Sequence, residues 1–301
     1  MRELPSPWLE LTPRCNLACQ FCYNPWRGGS KADHPEQVAP EVLRAQIARV
    51  LDRVEFGYVA LSGGEPLLYH DLVGLTRWLT ERGQRTILTT NGRLLRPGRV
   101  SALREAGLGG VQVSLLGSRA RTHDELAGRS SWVQALQAIA HARAAGLSTS
   151  ATFIATATNL DELPRMPELV SHLGVTRIVV NELQPVGSAH ENLDELDVSG
   201  ERFEAVVREA QLSAARTGVT LSIVRFNAPA YTPTAGGWHR WSVSPDAQLK
   251  LCNHSSQTLG PLSDLEDDDL DGLAHHLSTG DYAALEHRVD SCRCFALAAA
   301  G

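Results

Sequence analysis

Three cysteines stand close together near the start of this chain, in the eight-residue run Cys15-Asn-Leu-Ala-Cys19-Gln-Phe-Cys22. Three thiolates on one short loop can wrap a single cubane iron–sulfur cluster and leave its fourth iron without a protein ligand. A structural zinc site is the competing reading of this spacing, although such a site closes with four ligands and no partner pair follows nearby. A second constellation, Ser62-Gly63-Gly64-Glu65-Pro66, sets two residues lacking Cβ, whose backbone a ligand can approach closely, beside an anionic acceptor suited to an ammonium. The other three thiols, Cys252, Cys292 and Cys294, fall within the last 50 residues.

Composition narrows the chemistry. The chain has 301 residues, 43% of them hydrophobic and 21% charged, as expected of a globular protein. Its formal net charge of −6 speaks against a nucleic-acid partner, because phosphate binding rests on excess Lys and Arg. The densest charge run, Glu266-Asp267-Asp268-Asp269, is acidic and reads as a solvated loop or helix start. No stretch approaches the roughly 20 apolar residues of a membrane span, and the N-terminus carries no signal-like apolar segment. The expectation is a cytoplasmic protein with no membrane partner. In that compartment thiols stay reduced, so the cysteines read as ligands or nucleophiles rather than disulfides.

The elements that must position these residues alternate regularly. Strand candidates fall at 8–12, 58–62, 85–90, 110–115, 149–155 and 177–182, with segments of helical period between them. Leu43, Ile47, Val50, Leu51 and Val54 share one helical face; Trp132, Leu136, Ile139 and Ala140 share another, in a helix ending at Gly146; Phe203, Val206, Val207 and Ala210 mark a third. Strand and helix recur six times, which requires parallel strands with crossover helices, in a barrel or an open doubly wound sheet. The cysteine loop directly follows the first strand, and Gly63-Gly64-Glu65 closes the second. After residue 225 the rhythm breaks. The stretch 227–237 reads as a linker and 241–251 as a hairpin turning at Pro245-Asp246, with helical segments near 266–277 and 281–289. The expected division is a first domain at 1–225 and a small α+β domain at 226–301.

Cys-x3-Cys-x2-Cys after the first strand, with Phe21 just before the third cysteine, together with Gly63-Gly64-Glu65 after the second strand, resembles the signature of radical S-adenosylmethionine (radical SAM) enzymes. The resemblance covers about residues 8–225 and implies a partial (β/α)6 TIM barrel. It implies a [4Fe-4S] cluster held by Cys15, Cys19 and Cys22. It also implies a SAM site that includes Phe21 and in which Gly63, Gly64 and Glu65 receive the methionyl amino group. Thr89-Thr90-Asn91-Gly92 closes the third strand and Val111-Gln112-Val113-Ser114 forms the fourth, followed by Thr122-His123-Asp124 and Gly128, as in the peptide-modifying branch. By the same resemblance Ser114 meets the SAM ribose or carboxylate and Arg129 is a further candidate for the carboxylate. Asn181 ends the sixth strand, where barrel enzymes place functional side chains. His123 with Asp124 reads either as a local cap or as an acid–base pair. No catalytic acid or base is assigned, because the cofactor carries the chemistry.

The segment from Ser244 to Cys252 resembles the strand–turn–strand of a SPASM or twitch auxiliary-cluster domain, with Ala247 where a glycine is usual. The cysteine expected upstream of Cys252 is absent, and Trp238 and His239 stand there instead. Cys252, Cys292 and Cys294 would then hold a second [4Fe-4S] cluster, its remaining iron open or bound by His239 or His254. The resemblance implies reductive cleavage of SAM to a 5′-deoxyadenosyl radical, with an electron donor such as flavodoxin or ferredoxin as partner. Two substrates compete: a ribosomally made peptide, oxidised or cross-linked, and a small molecule such as an aminoglycoside intermediate, dehydrogenated or epimerised. Because the first strand begins within ten residues of the start, peptide recognition would fall to a separate protein or to direct binding. A third reading, a non-catalytic redox carrier or sensor, leaves the Gly63-Gly64-Glu65 turn without a purpose.

Overall fold

The computed structural model describes residues 3–4, 6–24, 35–52, 55–225, 241–250, 258 and 260–264. Strand β1 (Glu3–Leu4) pairs in parallel with β3 (Glu55–Phe56) as a small separate ribbon. The body is an alternation of β2 (Trp8–Glu10), α1 (Pro40–Leu51), β4 (Val59–Ser62), α2 (Leu72–Glu81), β5 (Thr86–Thr90), α3 (Pro97–Glu105) and β6 (Gly110–Ser114). It continues through α4 (Ala120–Ala127), α5 (Trp132–Ala144), β7 (Ser148–Ala155), α6 (Met166–His172) and β8 (Arg177–Glu182). Then come α7 (Ser188–Glu191), α8 (Leu193–Leu196), α9 (Gly200–Thr217), β9 (Thr220–Val224), β10 (Ser242–Val243), β11 (Gln248–Lys250) and β12 (Gly260–Pro261).

Local sequence explains the elements. Helix α1 starts on Pro40, whose fixed φ suits a first helical position, and buries Leu43, Ile47 and Val50 on one face. Helix α9 is capped by Ser199, whose side chain accepts from the Arg202 N–H, and ends at Gly218 in the left-handed region. The strands run parallel from β2 through β9 in the order β2-β4-β5-β6-β7-β8-β9, and the two edges of the ten-stranded sheet, β9 and β12, are not joined to each other. The barrel is therefore partial and open. Apolar residues face one another along the register, as in Leu9↔Leu61, Leu61↔Leu88, Leu88↔Val111, Val113↔Ala151 and Phe153↔Val180. Helices cover the face that these apolar residues share.

Six strand–helix units are present as expected, each predicted strand agreeing to within two residues at either end. The structure adds a seventh parallel strand, β9, which pairs with β8 from Arg177↔Thr220 to Asn181↔Val224. Its alternation, Thr-Leu-Ser-Ile-Val, is strand-like but weak because the strand is half-exposed at an edge. The predicted hairpin exists and turns at Pro245-Asp246. It continues the barrel's own sheet, β10 lying parallel to β2 and antiparallel to β11. Trp241, Val243, Ala247 and Leu249 join the same core as the barrel strands. Ala247 takes a φ of 60° at this turn, the left-handed conformation that a glycine would adopt without strain. Beneath the hairpin, Lys250 Nζ lies 3.0 and 3.1 Å from the two carboxylate oxygens of Glu10, each side chain only 1% exposed.

Candidate active site

The cysteine loop is held from three sides. On one, its backbone bonds to the end of α4: Ala18 N–H donates to Ala127 O and Gln20 N–H to Leu126 O. On another, the Gly63-Gly64 turn closes against the segment leaving β2, with Gly64 N–H donating to Thr12 O at 2.7 Å and Glu65 N–H to Arg14 O at 2.8 Å. The approach there is so close that a Cβ on Gly64 would sit 2.3 Å from Arg14 O, so no other residue fits. On the third side Ser188 N–H donates to Cys22 O, and Gly187, at φ +59°, passes where a Cβ would meet that same oxygen at 2.4 Å. A small apolar cluster of Leu17, Leu116, Leu126, Leu183 and Leu196 seats Cys15, Cys19 and Phe21 apart from the main core.

One cavity collects the predicted site residues. Its wall holds Cys15, Cys19, Cys22, Phe21, Gly63, Gly64, Ser114 and Asn181. It lies at the carboxyl ends of the parallel strands, where α/β barrels place their sites. The register explains the convergence: Thr89↔Gln112, Ser114↔Thr152 and Ile154↔Asn181 are paired neighbours, and all six line the cavity. Gln112 also hydrogen-bonds Thr152 through its side-chain amide. Trp8, Asn24, Glu182 and Gln184 also line the cavity. These and Gln112 and Thr152 went unassigned from sequence. For Gln112 and Thr152 the available signal was a polar residue between apolar neighbours on a strand.

Glu65 stands behind this wall rather than in it. Its carboxylate is fully buried and accepts from Leu67 N–H at 3.1 Å, Thr90 O–H at 2.7 Å and Asn91 N–H at 2.9 Å. Burial pushes its carboxyl up from 4.5 to about 7, against the pull of those three donors. The folded chain thus binds this proton more tightly than the unfolded one. Glu65's contribution to stability is complete below pH 4.5 and is lost as pH rises through about 7. A shift of that size corresponds to about 3 kcal/mol. The stability difference between the native protein and Glu65→Gln, measured by urea unfolding, is therefore expected to move against the native protein by about this amount between pH 5 and 8. A difference independent of pH would show that the carboxyl titrates normally.

Two further candidates are not part of the cavity. Arg129 is exposed in the loop after α4 and does not line it. His123 is buried as a latch: Leu116 N–H donates to its Nδ1 at 3.1 Å, which leaves the proton on Nε2, 3.0 Å from Ser131 Oγ. Burial lowers its pKa to about 4, so the ring is neutral. Asp124 accepts from Ser131 N–H at 2.8 Å and Trp132 N–H at 2.9 Å at the start of α5, so this pair is a cap and not an acid–base couple. Cys252, Cys292, Cys294, His239 and His254 lie outside the described residues.

The donor set around the cavity fits a cluster. Cys15, Cys19 and Cys22 all stand in the cavity wall. Among the described residues no three His, Cys, Asp or Glu side chains converge as the ligands of a single ion must. A [4Fe-4S] cluster, whose thiolates sit on separate irons, would be held by Cys15, Cys19 and Cys22.

Comparison with known proteins agrees with this geometry. The Radical SAM superfamily profile matches residues 9–170. The chain is 34% identical over 265 residues to a protein of Ruegeria pomeroyi named PqqA peptide cyclase, covering 84% of this chain and 68% of that one. It is 29% identical over 276 residues to a probable GTP 3′,8-cyclase of Saccharolobus islandicus, covering 88% and 87%. The fold of Streptococcus suis SuiB, solved with its precursor peptide SuiA, superposes with a TM-score of 0.72 at 14% identity, covering 90% of this chain and 66% of that one. The chain thus spans about two thirds of the length of the peptide cyclase and of SuiB. Profile, cysteine loop and open parallel barrel converge, and the chain belongs to the radical SAM superfamily.

Proposed function

We propose that this enzyme acts on a ribosomally made peptide, oxidatively modifying an unactivated C–H position by cross-link, thioether or a related bond. The observation that carries the reading is the 34% identity to a PqqA peptide cyclase across 84% of the chain. The superposition on SuiB, solved with its precursor peptide SuiA, supports a barrel mouth able to admit a peptide. Superfamily membership implies a [4Fe-4S] cluster and SAM. Held by Cys15, Cys19 and Cys22, such a cluster would supply the one-electron chemistry for reductive cleavage of SAM to a 5′-deoxyadenosyl radical.

The chain's own residues then have separate tasks. Cys15, Cys19 and Cys22 would hold three irons. The backbone carbonyls of Gly63 and Gly64 would take the SAM ammonium, with Glu65 fixing their turn from behind. Ser114 and Asn181 would meet the rest of SAM, and Phe21 would close one side of the cavity. Trp8, Gln112, Thr152, Glu182 and Gln184 are then left to orient the substrate within contact distance of the radical and to keep water away.

The small-molecule reading has its own support in the GTP 3′,8-cyclase relative, since the match covers 87% of that protein's length. Anaerobic incubation with SAM, reductant and either candidate short peptides or nucleotide and sugar substrates, followed by mass spectrometry, separates the two. A mass loss on a peptide supports the first; product only from small molecules overturns it. A flavodoxin or ferredoxin would supply the electron, and the peptide would be recognised by a separate protein or bound directly.

The proposal extends to residues 226–301 as an auxiliary-cluster module in which Cys252, Cys292 and Cys294 hold a second [4Fe-4S] cluster. Anaerobically reconstituted protein is then expected to carry about eight irons per chain, and the triple alanine variant about four. That variant is expected to cleave SAM without releasing oxidised product, because the substrate electron has no acceptor. Four irons in the unsubstituted protein would refute the module.

A further inference from the structure

We propose that Asn91 is a positioning residue for the reaction, holding the Cys15 thiolate and raising the electron affinity of the cluster it ligates. The inference rests on Cys15 being a cluster ligand. Asn91 follows β5 in the turn that faces the cysteine loop. Its side-chain Nδ2 lies 2.8 Å from Asn16 Oδ1 and 3.9 Å from Cys15 Sγ, so each of its two hydrogens has an acceptor. Its Oδ1 accepts from Arg93 N–H at 3.0 Å, and its backbone N–H donates to Glu65 Oε2 at 2.9 Å.

These partners leave the amide one orientation. Turned over, it would set oxygen against the oxygen of Asn16 and the sulfur of Cys15, and an N–H against the N–H of Arg93. Donor to sulfur is thus dictated by the surrounding network. Through Asn91 the buried Glu65 carboxylate is tied to the cysteine loop, so the turn beside Gly63-Gly64 and the thiolate of Cys15 share one brace. A donor aimed at a ligating sulfur stabilises the more negative, reduced cluster and raises its reduction potential. The contact is long for a neutral thiol, but a thiolate makes it charge-assisted. None of this needs Asn91 to touch SAM or substrate.

The test is an anaerobic redox titration, followed by electron paramagnetic resonance, of reconstituted full-length protein. The signal read is the one that shifts when SAM is added, which separates the first cluster from any other. Asn91→Leu removes the donor; Asn91→Asp keeps the shape but presents an acceptor to the sulfur. The expected result is that, at a fixed potential, the ratio of reduced to oxidised cluster falls about tenfold in Asn91→Leu, and further in Asn91→Asp. If Asn91→Leu does not fold, Asn91→Asp decides alone. Titration curves that coincide with that of the unsubstituted protein overturn the inference. Cys15→Ala, measured alongside, separates the two failures. If it keeps the SAM-responsive signal, the ligand reading is wrong; if it loses the signal while the Asn91 variants titrate normally, only the role of Asn91 is wrong.

Discussion

Single replacement of Cys15, Cys19 or Cys22 by alanine is expected to abolish formation of 5′-deoxyadenosine from SAM while the barrel stays folded. Three thiolates are the fewest that hold a cubane with one iron open, so no member of the set is spare. All three thiols line one cavity, and among the described residues that line it there is no other cysteine and no histidine to replace a lost one. The fold tolerates the change because the loop is seated on a small satellite cluster, while the main core runs from Leu9 to Leu262 without these cysteines. Its position depends on backbone bonds from residues 18, 20 and 22, which a side-chain truncation leaves in place. Iron content, circular dichroism and product chromatography on the three variants check each part. Near-normal 5′-deoxyadenosine from any one of them would remove that cysteine from the ligand set.

Lys250→Met is expected to destabilise the protein by about 3–5 kcal/mol, the usual cost of leaving one partner of a buried ion pair uncompensated. Both oxygens of Glu10 face the Lys250 ammonium in a site that excludes water, and burial alone already holds the Glu10 carboxyl above its usual range. Replacing both, as Glu10→Leu with Lys250→Met, removes both charges together and is expected to recover most of the loss. Urea unfolding of the two single variants and the double variant gives the coupling directly. Additive losses would mean that the pair does not act as a unit. The placement gives the pair a structural meaning, since it clasps the hairpin of β10 and β11 to the first barrel strand across 240 residues of sequence.

Much of this enzyme was legible in its sequence because the informative residues are neighbours in the chain. The three cysteines fall on one loop, the two glycines on one turn, and the apolar spacing of Leu43, Ile47 and Val50 marks a helix without reference to anything distant. Six strands and their helices followed from that periodicity, and the strand ends named where a site had to be. What sequence could not decide were relations between segments. The edge strand β9 is weakly apolar because only its pairing with β8 defines it. Glu65 looked like a ligand acceptor, yet its carboxylate turns toward Thr90 and Asn91, whose proximity is set by the parallel register of β4 and β5. His123 and Asp124 read from sequence as either a local cap or an acid–base pair, and the position of Leu116 and Ser131 decides for a latch and a cap. Lys250 and Glu10 gave no sign of each other. Periodicity tells which face a side chain occupies, because it depends on bonds along the chain. The partner waiting on that face is set by packing between elements, and that is decided only when the whole sheet assembles.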